Sequence, residues 1–168
     1  MTDVGFIMEE DSSFLKTLVR QLLLTRRSFN ASVLDTNGQI VLKIERPIKW
    51  FLNSEIRVYT AQDELIGEVK QVWHLWRRQY ELFLGKKQFA EINTEFLGWD
   101  FHLKDETGRR LASVNRSFGG FARELFTDTG SYGIYYDQGR AISLQERAVA
   151  LCCAINIDID YFSRHSGR

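Results

Sequence analysis

The residues best suited to chemistry at a surface are Trp73-His74-Leu75-Trp76-Arg77-Arg78. Indole rings sit comfortably half in hydrocarbon while a neighbouring guanidinium meets phosphate, so this run fits the headgroup layer of a bilayer. It also has a plain structural reading, as a strand that turns Trp73 inward followed by a turn that carries Arg77 and Arg78. A second candidate lies upstream. Phe14, Leu15, Leu18, Val19, Leu22 and Leu23 recur at helical spacing, with Ser12 or Ser13 placed to cap the helix. As an interfacial helix, Ser13 to Leu24 would bury its apolar face at the acyl boundary while Lys16, Arg20, Arg26 and Arg27 touch anionic lipid. As a structural helix it would plug one end of the fold.

Covalent chemistry finds little support. His74, His102 and His165 stand in unrelated contexts without paired metal-ligand spacing. No serine sits in a nucleophile-elbow glycine pattern, and Gly119-Gly120 lacks the rest of a phosphate loop. The only cysteines, Cys152 and Cys153, are adjacent on an apolar stretch, where they read as small core residues. No hydrolase, transferase or redox constellation is present. The chain balances 22 basic against 22 acidic residues. That leaves no global attraction for nucleic acid, and none is expected as a partner.

The elements that must position these residues are mostly strands. Length alone, 168 residues, argues for one domain with a sizeable core. Twelve Phe, six Tyr and four Trp favour pleated, half-buried surfaces. Short alternating runs are separated by turn signals: Asp35-Thr36-Asn37-Gly38 between Ser28–Leu34 and Ile40–Glu45, Ala61-Gln62-Asp63-Glu64, Gly85-Lys86-Lys87, and Asp105-Glu106-Thr107-Gly108. Eight or nine strands spaced this way predict an all-β barrel or sandwich. The C-terminal region breaks the pattern. Ala148 to Ile155 is apolar throughout, and a helix starting near Ser143 would present Leu144, Ala148, Leu151, Cys152 and Ile155 for burial. Asn156, Asp158 and Asp160 stop it short of a bilayer's width, so burial in protein is expected, as a helix threading its own barrel.

Several segments, taken together and in order, resemble the phospholipid scramblase family, whose fold is tubby-like. They are Phe29-Asn30-Ala31 with Asp35 to Gln39, Ile44-Glu45-Arg46-Pro47, Ile66-Gly67-Glu68-Val69, Gln71-Val72-Trp73-His74, Trp99-Asp100-Phe101, and Arg123-Glu124-Leu125-Phe126-Thr127-Asp128 followed by Tyr132-Gly133. Asn115 to Phe121 and Asp158-Ile159-Asp160-Tyr161-Phe162 are most similar to the mitochondrial branch. The resemblance implies a mainly β fold, a tubby-like closed β-barrel around a buried C-terminal hydrophobic helix. It also implies ATP-independent, calcium-stimulated movement of phospholipids between leaflets, or, for many members, lipid or partner binding without transport. Family members carry further strands before the segment matching Val4 to Glu9, so the barrel is expected to be short of its first strands. Cysteine acylation between early strands is excluded, because no cysteine precedes Cys152.

The family's calcium segment matches Asp128 to Asp137, which offers Asp128, Ser131 and Asp137 as ligands. Calcium takes six to eight oxygens, and here only two are carboxylate side chains, with Gly139 where a bidentate acid would stand. Calcium is therefore a weak cofactor at most. The expected partner is a phospholipid membrane, at an intracellular and, by resemblance, mitochondrial site. Moving a charged headgroup through hydrocarbon needs a polar path or a thinned bilayer. One small barrel lacks an evident groove for that. Transport would therefore call for a homo-oligomer, or for bilayer distortion by the Ser13 to Leu24 helix and the Trp73 to Arg78 segment.

Overall fold

The computed structural model describes residues 5–9, 28–48, 53–95, 100–117, 131–137, 139 and 141–162. Ten strands form a single antiparallel meander: β1 (Gly5–Glu9), β2 (Phe29–Asp35), β3 (Ile40–Arg46), β4 (Glu55–Thr60), β5 (Leu65–Val72), β6 (Arg77–Leu84), β7 (Lys87–Glu95), β8 (Asp100–Lys104), β9 (Arg110–Ser117) and β10 (Ser131–Tyr136). Helix α1 (Leu144–Ile157) follows and continues into a π-helical turn, Asp158–Phe162. The mainly β architecture with a buried C-terminal helix is as expected from the sequence. No pairing of β10 with β1 occurs among the described ladders, so the closed barrel of the resemblance is not drawn by hydrogen bonds here. The sheet nevertheless curls, since α1 packs on β4, β5 and β6 and also reaches β10.

Period-two alternation decides which side chains line the interior. Ile44, Ile56, Val58, Val69, Tyr80, Leu82, Ile92, Phe101, Leu103 and Val114 point inward and meet Val149, Cys153 and Ile157 of α1. Ser143 caps the helix in a full capping box with Glu146: the Glu146 amide donates to Ser143 Oγ at 3.1 Å and the Ser143 amide to Glu146 Oε2 at 2.8 Å. Leu144, expected inside, is 82% exposed. It is the first helical residue and has not yet entered the sheet. Ala148, Cys152 and Cys153 are buried, and Leu151 and Ile155 are half-buried. Asn156, Asp158 and Asp160 do not end the helical run as their polarity had implied. The chain keeps turning to Phe162.

A meander alternates its connections between two ends. Short turns gather at one of them, and two share a design. Asp35 Oδ1 accepts from the amides of Asn37 and Gln39, each at 2.8 Å, ahead of Gly38 at φ +79°. Asp105 Oδ1 accepts from the Thr107 hydroxyl at 2.6 Å and the amides of Thr107 and Arg109, ahead of Gly108 at φ +77°. Only glycine adopts that backbone cheaply. The connections after β1, β3, β5, β7 and β9 all open on the opposite end. Helix α1 enters at the turn end, where Val149 meets Gly67, and finishes at the other, where Asp160 meets Arg46.

Gly67 makes that crossing possible. A Cβ there would land on the Phe83 carbonyl oxygen and 2.7 Å from Val149 Cγ2. Gly67→Ala should therefore destabilise the fold by about 1–3 kcal/mol, read as a lower urea midpoint at unchanged m-value. The Thr107 hydroxyl above all, with the Arg109 and Thr107 amides and the Arg109 side chain, holds the Asp105 carboxyl down at about 2. Its folded value lies below the unfolded one, so its contribution is complete above about pH 4 and is lost as pH falls through 2. Carboxyl carbon shifts should place the Asp105 midpoint well below pH 3; a midpoint near 4 would contradict the turn geometry.

Candidate functional site

The end opposite the short turns carries a group of exposed apolar side chains that includes two indoles. Ile48, just past β3, and Trp73, Leu75 and Trp76, between β5 and β6, are 50% to 72% exposed. Two backbone amides of the corner bond to neighbouring side chains. The Trp73 amide donates to Asn53 Oδ1 at 3.0 Å and the Trp76 amide to His74 Nδ1 at 3.2 Å. Arg77 opens β6 beside the rings, outward and exposed, with its Nη1 3.4 Å from Asn93 Oδ1. The inward reading of Trp73 therefore gives way to an exposed indole. Arg78 goes the other way. Alternation along β6 turns it into the interior, 9% exposed and 5.8 Å from the Phe101 ring centroid, so it drops out of the lipid-contact set.

Directly beneath this corner lies a buried polar node. Asp160, 7% exposed, accepts from Arg46 Nη2 on β3 at 2.6 Å, from Ser54 Oγ at 2.8 Å and from Tyr80 OH on β6 at 2.8 Å. Asn156, one turn earlier, donates from Nδ2 to Ser54 Oγ at 3.1 Å. Gln71 on β5 closes the group: its Oε1 accepts from the Ser54 amide at 3.2 Å and its own amide donates to the Ser54 carbonyl at 2.8 Å. A carboxylate in this position needs such donors, because an unpaired buried charge is far costlier than a paired one. Little in the linear order points to it, since Arg46 and Asp160 stand 114 positions apart. The one available signal was a carboxylate set within a turn of the end of an otherwise apolar helix.

The remaining candidates divide in two. Lys16, Arg20, Arg26, Arg27 and Asp128 lie outside the described residues. Ser131 and Asp137 lie within them and are not brought together. Ser131 opens β10 and Asp137 follows its last residue, so their backbones stand about 20 Å apart at the rise of a strand, whereas ligand atoms of one calcium ion lie within about 5 Å of each other. The Asp137 carboxylate also meets Arg110 Nε at 3.1 Å, which a cation would have to displace. The described residues of this segment do not fit a calcium site. Among the described residues no group of three or more His, Cys, Asp or Glu side chains could hold a metal. Cys152 and Cys153 are enclosed, and burial pushes both thiols well above their usual range, away from redox reactivity.

A family model described as Scramblase matches residues 1–164. The chain belongs to the scramblase family. A phospholipid scramblase family protein of Schizosaccharomyces pombe is 43% identical, across 98% of this chain and 52% of its own length. The altered inheritance rate of mitochondria protein 25 of Saccharomyces cerevisiae is 35% identical, across 97% of this chain and 62% of its own. Mouse phospholipid scramblase 1 is 26% identical, across 82% and 46% respectively. This scramblase-family chain thus spans about half to three-fifths of the curated relatives it matches. No solved structure matches it.

The node gives a sharp test of what holds α1 in place. Asp160→Asn keeps the shape and removes the charge that Arg46 faces. It should cost about 3–5 kcal/mol in urea unfolding, while an Arg46→Met, Asp160→Leu pair should recover much of that loss. A single variant within about 0.5 kcal/mol of the parent would mean that Arg46 finds water instead.

Proposed function

We propose that this chain is a phospholipid scramblase-like protein that docks on a bilayer through its tryptophan end. The supporting observation is the grouping of Ile48, Trp73, Leu75 and Trp76, all exposed, with the Arg77 cation beside them. Indoles and a guanidinium at one end of a rigid sheet match the chemistry of the headgroup layer, apolar below and phosphate above. Both ends of the chain that carries Lys16, Arg20, Arg26 and Arg27 also open on this end, at Glu9 and Phe29. Those four cations would add attraction to anionic lipid. The names of the relatives point the same way. Two are phospholipid scramblases or members of that family, and one is named for mitochondrial inheritance, which supports a mitochondrial membrane as the target.

Transport in this reading is ATP-independent and bidirectional, driven by lipid gradients alone. The catalyst lowers the barrier to headgroup crossing by disturbing the bilayer at the docking corner. Calcium stimulation gains no support from the described residues of its segment, since Ser131 and Asp137 are held apart by a strand. One observation favours a second reading, a module that binds a membrane without transporting lipid. Helix α1 is about 21 Å long against a hydrocarbon core of about 30 Å, and Asp160 ties its end inside the sheet. No described helix is long and apolar enough to cross a membrane, which leaves open what strands do.

Fluorescent-lipid translocation in liposomes, read by an external reductant, separates the two. Quenching beyond the outer-leaflet half, without nucleotide and unaltered by chelator, is the expected result for transport. Quenching that stops at half, from folded and vesicle-bound protein, would retire transport and leave the binding module. In flotation assays the Trp73→Ser, Trp76→Ser pair should weaken vesicle binding at least about tenfold, whereas Arg78→Gln should act on stability and leave the affinity of the folded protein unchanged.

A further inference from the structure

We infer that Asn53-Ser54 is a mechanical relay between the tryptophan corner and the buried end of α1, so that bilayer contact loosens the helix and uncovers Cys152 and Cys153. The relay rests on the docking reading above and adds a moving part to it. Asn53 is exposed, and its side chain accepts from the Trp73 amide at 3.0 Å. The next residue points the opposite way. Ser54 Oγ donates to Asp160 Oδ2 at 2.8 Å and accepts from Asn156 Nδ2 at 3.1 Å, so it touches the last turn of α1 and the π-helical turn at once.

The two attachments are one peptide unit apart, and consecutive Cα atoms keep a fixed separation of about 3.8 Å. A shift of the corner at Trp73 must therefore reach Ser54. It arrives by a second route too, because Gln71, two residues before Trp73, pairs with Ser54 through both its side chain and its amide. At the helix end the buried Asn156 holds Ser54 through one hydrogen bond, so a shift of Ser54 is felt there directly. Cys152 and Cys153, on the face enclosed by the sheet, are native reporters of that opening, since a covered thiol reacts slowly.

Maleimide labelling of the full chain, followed by mass spectrometry with and without phosphatidylcholine–phosphatidylserine vesicles, tests the relay. Vesicle-bound parent protein should label at least about fivefold faster than free protein, the factor expected when one hydrogen bond of ordinary strength is lost. Asn53→Ala changes an exposed side chain, so it should fold and float with vesicles as the parent does. Its labelling when bound should nevertheless fall to less than about half the bound parent's rate, the remainder passing through Gln71. Equal rates for bound and free parent, or an Asn53→Ala variant that responds as the parent does, would overturn the relay while docking stands. Failure of the folded parent to float with vesicles would remove docking and relay together.

Discussion

A single buried carboxylate organises one end of this molecule. Asp160 gathers Arg46 from β3, Ser54 from the connection into β4 and Tyr80 from β6 onto two oxygen atoms. Each of these groups is costly to bury alone, and together they satisfy one another. An apolar helix could slide or rotate inside an apolar sheet at little expense. A charge with three directional donors cannot, so the node sets both the depth and the rotation of α1. At the helix's other end Gly67 allows the close approach of Val149, so shape complementarity fixes the turn end and polar bonding the tryptophan end.

The two ends differ in chemistry as well. At the turn end, aspartates hold tight loops through hydrogen bonds to local amides, as Asp35 and Asp105 do, which suits contact with water. At the other end, aromatic and aliphatic side chains project without a covering layer among the described residues. Exposed apolar residues occur toward both ends, with Ile40, Val41, Leu65, Tyr135 and Leu144 near the turns, so what sets the other end apart is its two exposed indoles beside Arg77. The fold sets two exposed indoles and Arg77 at one end, with the anchor of α1 just beneath them.

Much of the fold was legible in the sequence because its signals are local. Alternation in Ile40 to Glu45 and Tyr80 to Leu84, and the Asx-Gly turns at Asp35 and Asp105, depend on neighbours a few residues away, and the strands formed where they were expected. Ser143 as the helix cap was legible for the same reason. Two kinds of residue escaped. Arg77 and Arg78 looked like a turn because charge normally marks solvent, yet they open β6 and face opposite sides of it. Gly5 to Glu9 lacked any period strong enough to count as a strand by itself, and it is defined by pairing with β2.

The sequence by itself determined the class of fold, the order of the elements, the burial of the apolar helix and, through its ordered family segments, membership of the scramblase family. Periodicity and turn chemistry act over distances that a linear reading can see. Only the tertiary structure decided which charges are used and which are exposed. Arg78 turns inward while Arg77 turns outward because a strand alternates its faces, and the interior face of β6 is set by what packs on it. Asp137 meets Arg110 across β9 and β10 rather than joining Ser131, because an extended strand holds its ends apart. Asp160 finds Arg46 only after the sheet has curled around α1, since contacts between groups more than a hundred residues apart are made by topology and not by spacing.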